Sequence, residues 1–280
     1  MHSVFALLKS TASFLGLDET RCVSCFAPFS PTKSTSFKAL YEEQNNPPTP
    51  PNYTKRLHHQ WSLSPQLCPD CLRQLAPRTQ GYCPSCGMLY AKAVGSPSRC
   101  STCLITPPPW TYLTFYGAYE GILRELLLKH KFHNRLDAGL TLARLLAAIY
   151  IPHETKPDAV VPIPLHDSRL MQRGHNQSML SAKLLAQKIE RPLMPDLLRR
   201  TRATTPQATL SKKERQKNLS GAFTAAIPSP LRNKHILLVD DITTTGSTLR
   251  QATNTLLQGG AGSVEIAFMA RTPEPEHISN

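Results

Sequence analysis

Asp240 and Asp241 close an apolar run, Ile236-Leu237-Leu238-Val239. Thr243, Thr244, Thr245, Gly246, Ser247 and Thr248 come next, before a helical pattern opens at Leu249. The run has the length and branched content of a strand buried on both faces, which the pattern predicts to stop at the acids. The turn beyond it exposes backbone N–H groups at a helix N-terminus, where unpaired donors and the macrodipole favour a phosphate. Gly246 lets the backbone come close and the hydroxyls add donors. The two carboxylates are wrong for phosphate but suit the vicinal hydroxyls of a pentose. A ligand with a sugar diol and a terminal phosphate would satisfy the whole segment. An ordinary helix cap needs one hydroxyl and no acids. With no lysine and one glycine, the turn also differs from the G-x-x-x-x-G-K-[ST] nucleotide loop.

The eight cysteines form four C-x-x-C pairs: Cys22/Cys25, Cys68/Cys71, Cys83/Cys86 and Cys100/Cys103. One such turn offers two thiolates to a tetrahedral ion and two turns complete a closed site, so the set predicts two structural zinc ions. Sequential pairing and cross-braced pairing both fit the spacing. Redox chemistry of the thioredoxin kind would not need four motifs. A second anion candidate is Arg169 with Arg173, four apart and therefore on one helical face, with Asn176 and Gln177 as neutral donors beside them. A third is the basic stretch 199–217, holding Arg199, Arg200, Arg202, Lys212, Lys213, Arg215 and Lys217, expected as a mobile loop or lid able to close over a polyphosphate or track a nucleic-acid backbone.

The elements that must position these groups read as follows. Residues 1–20 carry Val4, Leu8, Ala12 and Leu15 at helical spacing and predict an amphipathic helix, with no stretch suited to crossing a membrane. Residues 21–106 read as a double zinc-ribbon module interrupted by a disordered insertion, 27–67, rich in Ser, Thr, Pro, Asn and Gln. Three consecutive prolines before Trp110 mark a stiff boundary, and 107–280 reads as an α/β domain. Its first strand is expected at Tyr112–Gly117, a buried strand at Asp158–Pro164 and a last one at Val264–Met269. The link 129–135, with Lys129, Lys131 and Arg135, is expected as a solvated loop, with a part in the seat of an acidic partner as the alternative. A net charge of +13 points to an acidic partner: nucleic acid, a phosphorylated metabolite or an anionic surface. Residence in the cytoplasm is the expectation, with peripheral contact at the inner membrane as the alternative.

The spacing D-D-x-x-T-T-G-x-T resembles the phosphoribosyl pyrophosphate signature of type I phosphoribosyltransferases. Taken in order, the cysteine knuckles, LLLKHKF, VPIPLH, RLMQRGHNQ, the 201–223 stretch and ILLVDDITTTGSTL resemble the ComF/GntX family over essentially the whole chain. His175 departs from the apolar or aromatic residue usual there, and the insertion between the first two knuckles is unusually long. The resemblance implies a type I phosphoribosyltransferase fold, a mainly parallel sheet flanked by helices, preceded by the zinc ribbons. It implies that Asp240 and Asp241 face the ribose diol, that Thr243–Thr248 cradle the 5′-phosphate, and that Mg²⁺ sits on the pyrophosphate. It further implies a competence or DNA-uptake role, with single-stranded DNA and a competence helicase or uptake machinery as partners. The alternative is a working transferase that attaches ribose 5-phosphate to a base or amine.

Overall fold

The computed structural model describes residues 20–29, 66–91, 96–153, 155–202 and 221–273. The expected N-terminal helix, nearly all of the 27–67 insertion and the lysine-rich loop lie outside the described residues. The chain divides into two compact units, residues 1–76 and 77–280. The first unit holds a two-residue antiparallel hairpin, β1 (Thr20–Arg21) with β2 (Pro28–Phe29), and helix α1 (Pro69–Gln74). The second cysteine cluster belongs to the second unit, together with the sheet.

In that second unit, α2 (Ser101–Ile105) precedes β3 (Leu113–Ala118), α3 (Gly121–Phe132), α4 (Leu136–Ile149) and β4 (Ala159–Pro162). Then come α5 (Asp167–Arg173), α6 (Gln177–Ile189) and a hairpin of β5 (Leu198–Arg200) with β6 (Phe223–Ala225). The last elements are β7 (His235–Thr243), α7 (Ser247–Gln258) and β8 (Ser263–Arg271). The main sheet has the order β3-β8-β7-β4 and every pairing in it is parallel.

Parallel strands connected through helices must be covered on both faces, which is why Ile236 to Val239 carry no polar side chain and are fully buried. Alternation divides these strands between two cores. Ile236, Leu238, Ile266 and Phe268 pack with Leu249, Ala252 and Leu256 of α7. The helices α4 and α6 pack on each other and on the strands from the other side.

Two expectations change. Strand β7 does not stop at the acids but runs through both of them to Thr243, because Asp240, Ile242 and Thr243 stay in register with Phe268, Ala270 and Arg271. The 129–132 segment is not a loop: α3 carries it to Phe132, and the turn begins at His133.

Buried polar groups at the lower edge of the sheet are paired. Tyr150 donates to Glu265, His235 meets Ser263 Oγ through Nδ1 at 2.7 Å, and the His235 amide donates to Asp158 at 2.9 Å. Lys188 caps the end of α4 by donating to the carbonyls of Ala147 and Tyr150, the latter at 2.8 Å.

Candidate functional site

The acid pair lies on β7 just below the turn into α7, at the carboxyl edge of a parallel sheet, where ligands of open α/β sheets bind. Asp240 is 7% exposed and its Oδ1 accepts from the Asp241 amide at 2.9 Å and from Ser178 Oγ at 3.2 Å. Burial first, then the neighbouring Asp241 charge, push its carboxyl well above the ordinary range, to about 8. Burial acts against ionisation at Asp241 too, but the Lys131 ammonium, 3.5 Å from Oδ2, and the Ile242 amide more than offset it and hold this carboxyl low. One acid is pushed toward its neutral form and its neighbour is kept ionised, the pattern of two carboxyls sharing a proton.

Cations crowd this pair. Lys131 reaches it from α3. Arg173, at the end of α5, feels the Asp241 charge and donates to Gln177 Oε1 at 3.0 Å. Arg169 lies close enough to raise the cost of charge on both Arg173 and Arg200. Burial, then Arg169, lower Arg200 to about 10 against the pull of Asp240, and its guanidinium lies 5.5 Å from the Phe223 ring centroid. The predicted pair Arg169 and Arg173 is joined by Lys131, for which a solvated link was the first expectation and a seat for the acidic partner the alternative, and by Arg200, expected in the mobile basic loop and found instead in β5. Asn176 and Gln177, expected as ligand donors, are engaged within the fold: Asn176 caps α6 and donates to the Ile163 carbonyl at 2.9 Å, and Gln177 is buried against Arg173.

The hydroxyl turn is built as a cradle. Gly246 has φ +77°, a left-handed conformation that a side chain would strain, and it opens α7. Thr245 Oγ1 and Ser247 Oγ are 2.7 Å apart, while Thr243 is buried under the turn with its hydroxyl making no hydrogen bond. A β-carbon at position 246 would stand 3.8 Å from both Arg271 Nη1 and the Trp110 ring.

Beside the acids, His130 of α3 lies 4.7 Å from the His175 ring and is 3% exposed; burial and that neighbour lower its pKa. Its ring nitrogens face the backbone of Arg135 and Gln177 without hydrogen-bond geometry. The departure at His175 is thus accommodated by imidazole against imidazole, on the wall of a cavity of about 470 Å³ that Met179 and Lys183 also line.

The cysteines assemble in sequence order, Cys22, Cys25, Cys68 and Cys71 in one cluster and Cys83, Cys86, Cys100 and Cys103 in the other. In each, the sulfurs lie within 4.8 Å of one another. Sulfurs bound to zinc at ~2.3 Å in a tetrahedron stand ~3.8 Å apart. The Cys25–Cys68 and Cys86–Cys100 separations are 3.7 Å and 3.8 Å, so both sets fit a zinc ion. Zinc there would supply cross-linking of the loops; four thiol ligands leave no open position for catalysis.

Residues 175–277 match the model of the phosphoribosyl transferase domain, and the parallel sheet with its acid pair and hydroxyl turn defines a protein of the phosphoribosyltransferase type. The chain is 35% identical over 213 residues to DNA utilization protein YhgH of Escherichia coli K12, spanning 74% of this chain and 90% of that protein. It is 32% identical over 214 residues to competence protein F of Haemophilus influenzae, over 73% of this chain and 90% of that one. It belongs to this ComF-like family. A solved glutamine phosphoribosylpyrophosphate amidotransferase from B. subtilis overlaps 51% of this chain and 30% of its own at 16% identity and a TM-score of 0.33, too low to add to the assignment.

Proposed function

We propose that this chain is a DNA-utilisation or competence factor that binds phosphoribosyl pyrophosphate at the carboxyl edge of β7. The observation that carries the reading is the charge balance there: Lys131, Arg169, Arg173 and Arg200 converge on two carboxyls, of which Asp240 is pushed toward its neutral form. So many cations around so little negative charge call for a polyanion. In this reading Thr243, Thr244, Thr245, Gly246, Ser247 and Thr248 take the 5′-phosphate, Asp240 and Asp241 the ribose diol, and the arginines the diphosphate. Asp241 is a hard oxygen donor of the kind Mg²⁺ accepts, and Mg²⁺ would neutralise diphosphate charge. The names of the relatives support the DNA role. The net charge of +13 supports single-stranded DNA as the polymer bound, through Lys212, Lys213, Arg215 and Lys217. Uptake proteins as partners follow from the same names, and cytoplasmic residence follows from that role.

Calorimetric titration with phosphoribosyl pyrophosphate and Mg²⁺ tests the site. Saturable binding that is lost in Asp240→Asn/Asp241→Asn is the expected result, and no binding to the native chain would refute the proposal. For DNA, replacing Lys212, Lys213 and Arg215 together should flatten the salt dependence of binding, and an unchanged slope would remove that loop. The second reading, a working transferase, is favoured by the split ionisation of the acid pair, since catalytic sites hold such pairs. Equal pyrophosphate release by the native chain and the double variant would exclude it.

A further inference from the structure

The second cysteine cluster is seated on the sheet beside the phosphate turn. Tyr82 of its hairpin meets Phe115 of β3 edge-on at 5.0 Å, and Phe115 stacks on Phe268 at 5.5 Å. A β-carbon at Gly87, immediately after Cys86, would stand 3.1 Å from the Phe268 ring. A tryptophan lies between cluster and turn. Trp110, 7% exposed, donates its indole N–H to the Ser85 carbonyl at 2.7 Å, inside the Cys83–Cys86 knuckle. The far edge of the same ring is the atom 3.8 Å from the would-be β-carbon of Gly246. Arg250, in the first turn of α7, lies 5.8 Å from that ring's centroid and donates to the Pro107 carbonyl at 3.3 Å. Of the proline segment, Thr106 and Pro107 are exposed and Trp110 at its end is buried.

We propose that Trp110 is a positioning residue, which transmits the metal-held geometry of the Cys83–Cys86 knuckle to the phosphate turn at 243–248, so that zinc at the second cluster and the anion at the turn strengthen each other. The physical basis is that ligation of both thiolates adds a tether to a C-x-x-C knuckle already held by the Gly87 amide on the Cys83 carbonyl, so its carbonyls gain freedom when the metal leaves. The Ser85 carbonyl fixes the plane of the indole, whose far edge faces the open side of Gly246, and Arg250, whose amide donates to the Gly246 carbonyl at 2.9 Å, lies over the same ring. The left-handed conformation of Gly246 is open to glycine without support, so what the indole bears on is the start of α7, through Arg250. Coupling of this kind is reciprocal: what zinc does for the anion, the anion does for zinc. The inference rests on the phosphoribosyl reading for its ligand measurement and on the fold alone for the rest.

The test uses the full chain with Cys25→Ser, which leaves zinc at the second cluster, and the same chain with Trp110→Phe added; phenylalanine keeps an aromatic ring and loses the donor. Zinc is withdrawn by graded chelation while amide exchange is followed at 243–250 and at 236–239 of β7. Zinc loss is expected to raise exchange at 243–250 by ~10-fold with β7 still protected. With Trp110→Phe, exchange at 243–250 is expected to be high with zinc present and to respond little to its removal. Affinity for phosphoribosyl pyrophosphate with Mg²⁺ should fall ~5-fold in the Trp110→Phe chain, the scale of one lost hydrogen bond. The ligand should also slow zinc release from the Cys25→Ser chain, and not from the Trp110→Phe chain. Exchange at 243–250 that ignores zinc would overturn the proposal. So would equal loss of protection in both segments, since zinc would then hold the whole core and not the turn. A chain that shows the exchange response without binding the ligand supports the coupling and refutes only the phosphoribosyl reading.

Discussion

Replacing Asp240 with asparagine should make the protein more stable at neutral pH while removing its ligand affinity. The side chain is buried, and its Oδ1 accepts from the Asp241 amide and the Ser178 hydroxyl. Asparagine keeps that acceptor oxygen and both bonds. What it removes is the cost of a carboxyl that burial and Asp241 hold neutral up to about 8 against an ordinary 3.8. A folded-state pKa above the unfolded value means that the unfolded chain releases its proton first as pH rises. The group therefore costs nothing below about pH 3.8, costs more at each step up to about 8, and is constant beyond. At ~1.4 kcal/mol per tenfold change the ceiling is ~6 kcal/mol. Part of that is mutual repulsion that relaxation around Asp241 would relieve, which leaves an expected gain of ~2 kcal/mol, or ~4–8 °C in Tm for a domain of this size. Thermal unfolding of native and Asp240→Asn chains at pH 5 and pH 8 checks it, with the larger difference at pH 8. Equal melting at both pH values, or a less stable variant at pH 8, would refute the reasoning that the carboxyl is held against its preferred state. Sites that trade stability for binding behave in this way.

Three further outcomes follow from particular contacts. Gly139→Ala places a β-carbon 2.4 Å from His130 Cε1 between α3 and α4 and should cost ~1–3 kcal/mol in urea unfolding, a loss that His130→Ala in the same chain relieves. Lys188→Met removes both donors from the end of α4 and should destabilise by ~1–3 kcal/mol in the same assay. Purified chain should release two zinc ions on thiol modification, and one when Cys103→Ser is introduced; a single zinc in the native chain would refute two complete clusters.

The phosphate turn was legible because everything it needs is contiguous: strand, acids, hydroxyls, glycine and helix succeed one another between 236 and 249. The cysteine clusters were legible for a similar reason, since ligand number and knuckle spacing fix the chemistry before any fold is known. Lys131 and Arg200 were legible only as members of basic stretches, because such a residue looks alike whether it meets water or, as Lys131 does, a buried carboxylate 110 positions away. Only the packing of α3 on α4 and of the β5–β6 hairpin on α7 distinguishes the cases. The overrun of β7 past Asp240 was hidden because side-chain type argued for a turn while the β8 backbone supplied partners. The seating of the second cluster was hidden because Tyr82, Trp110 and Phe268 are distant in sequence, and three prolines ordinarily announce a linker.

The strand order has a consequence for how the chain is made. Among the described strands, β3 and β4 emerge early and pair with β8 and β7, the last two strands to be synthesised, apart from a single bridge between Val160 of β4 and Leu193. No pair of the main sheet exists until the ribosome has passed residue 235, whereas the Cys83–Cys103 cluster is complete more than a hundred residues sooner. The four ligands are therefore available to a metal before the sheet can assemble, and a nascent chain starved of zinc at that moment would meet its own central strands with the knuckle untethered.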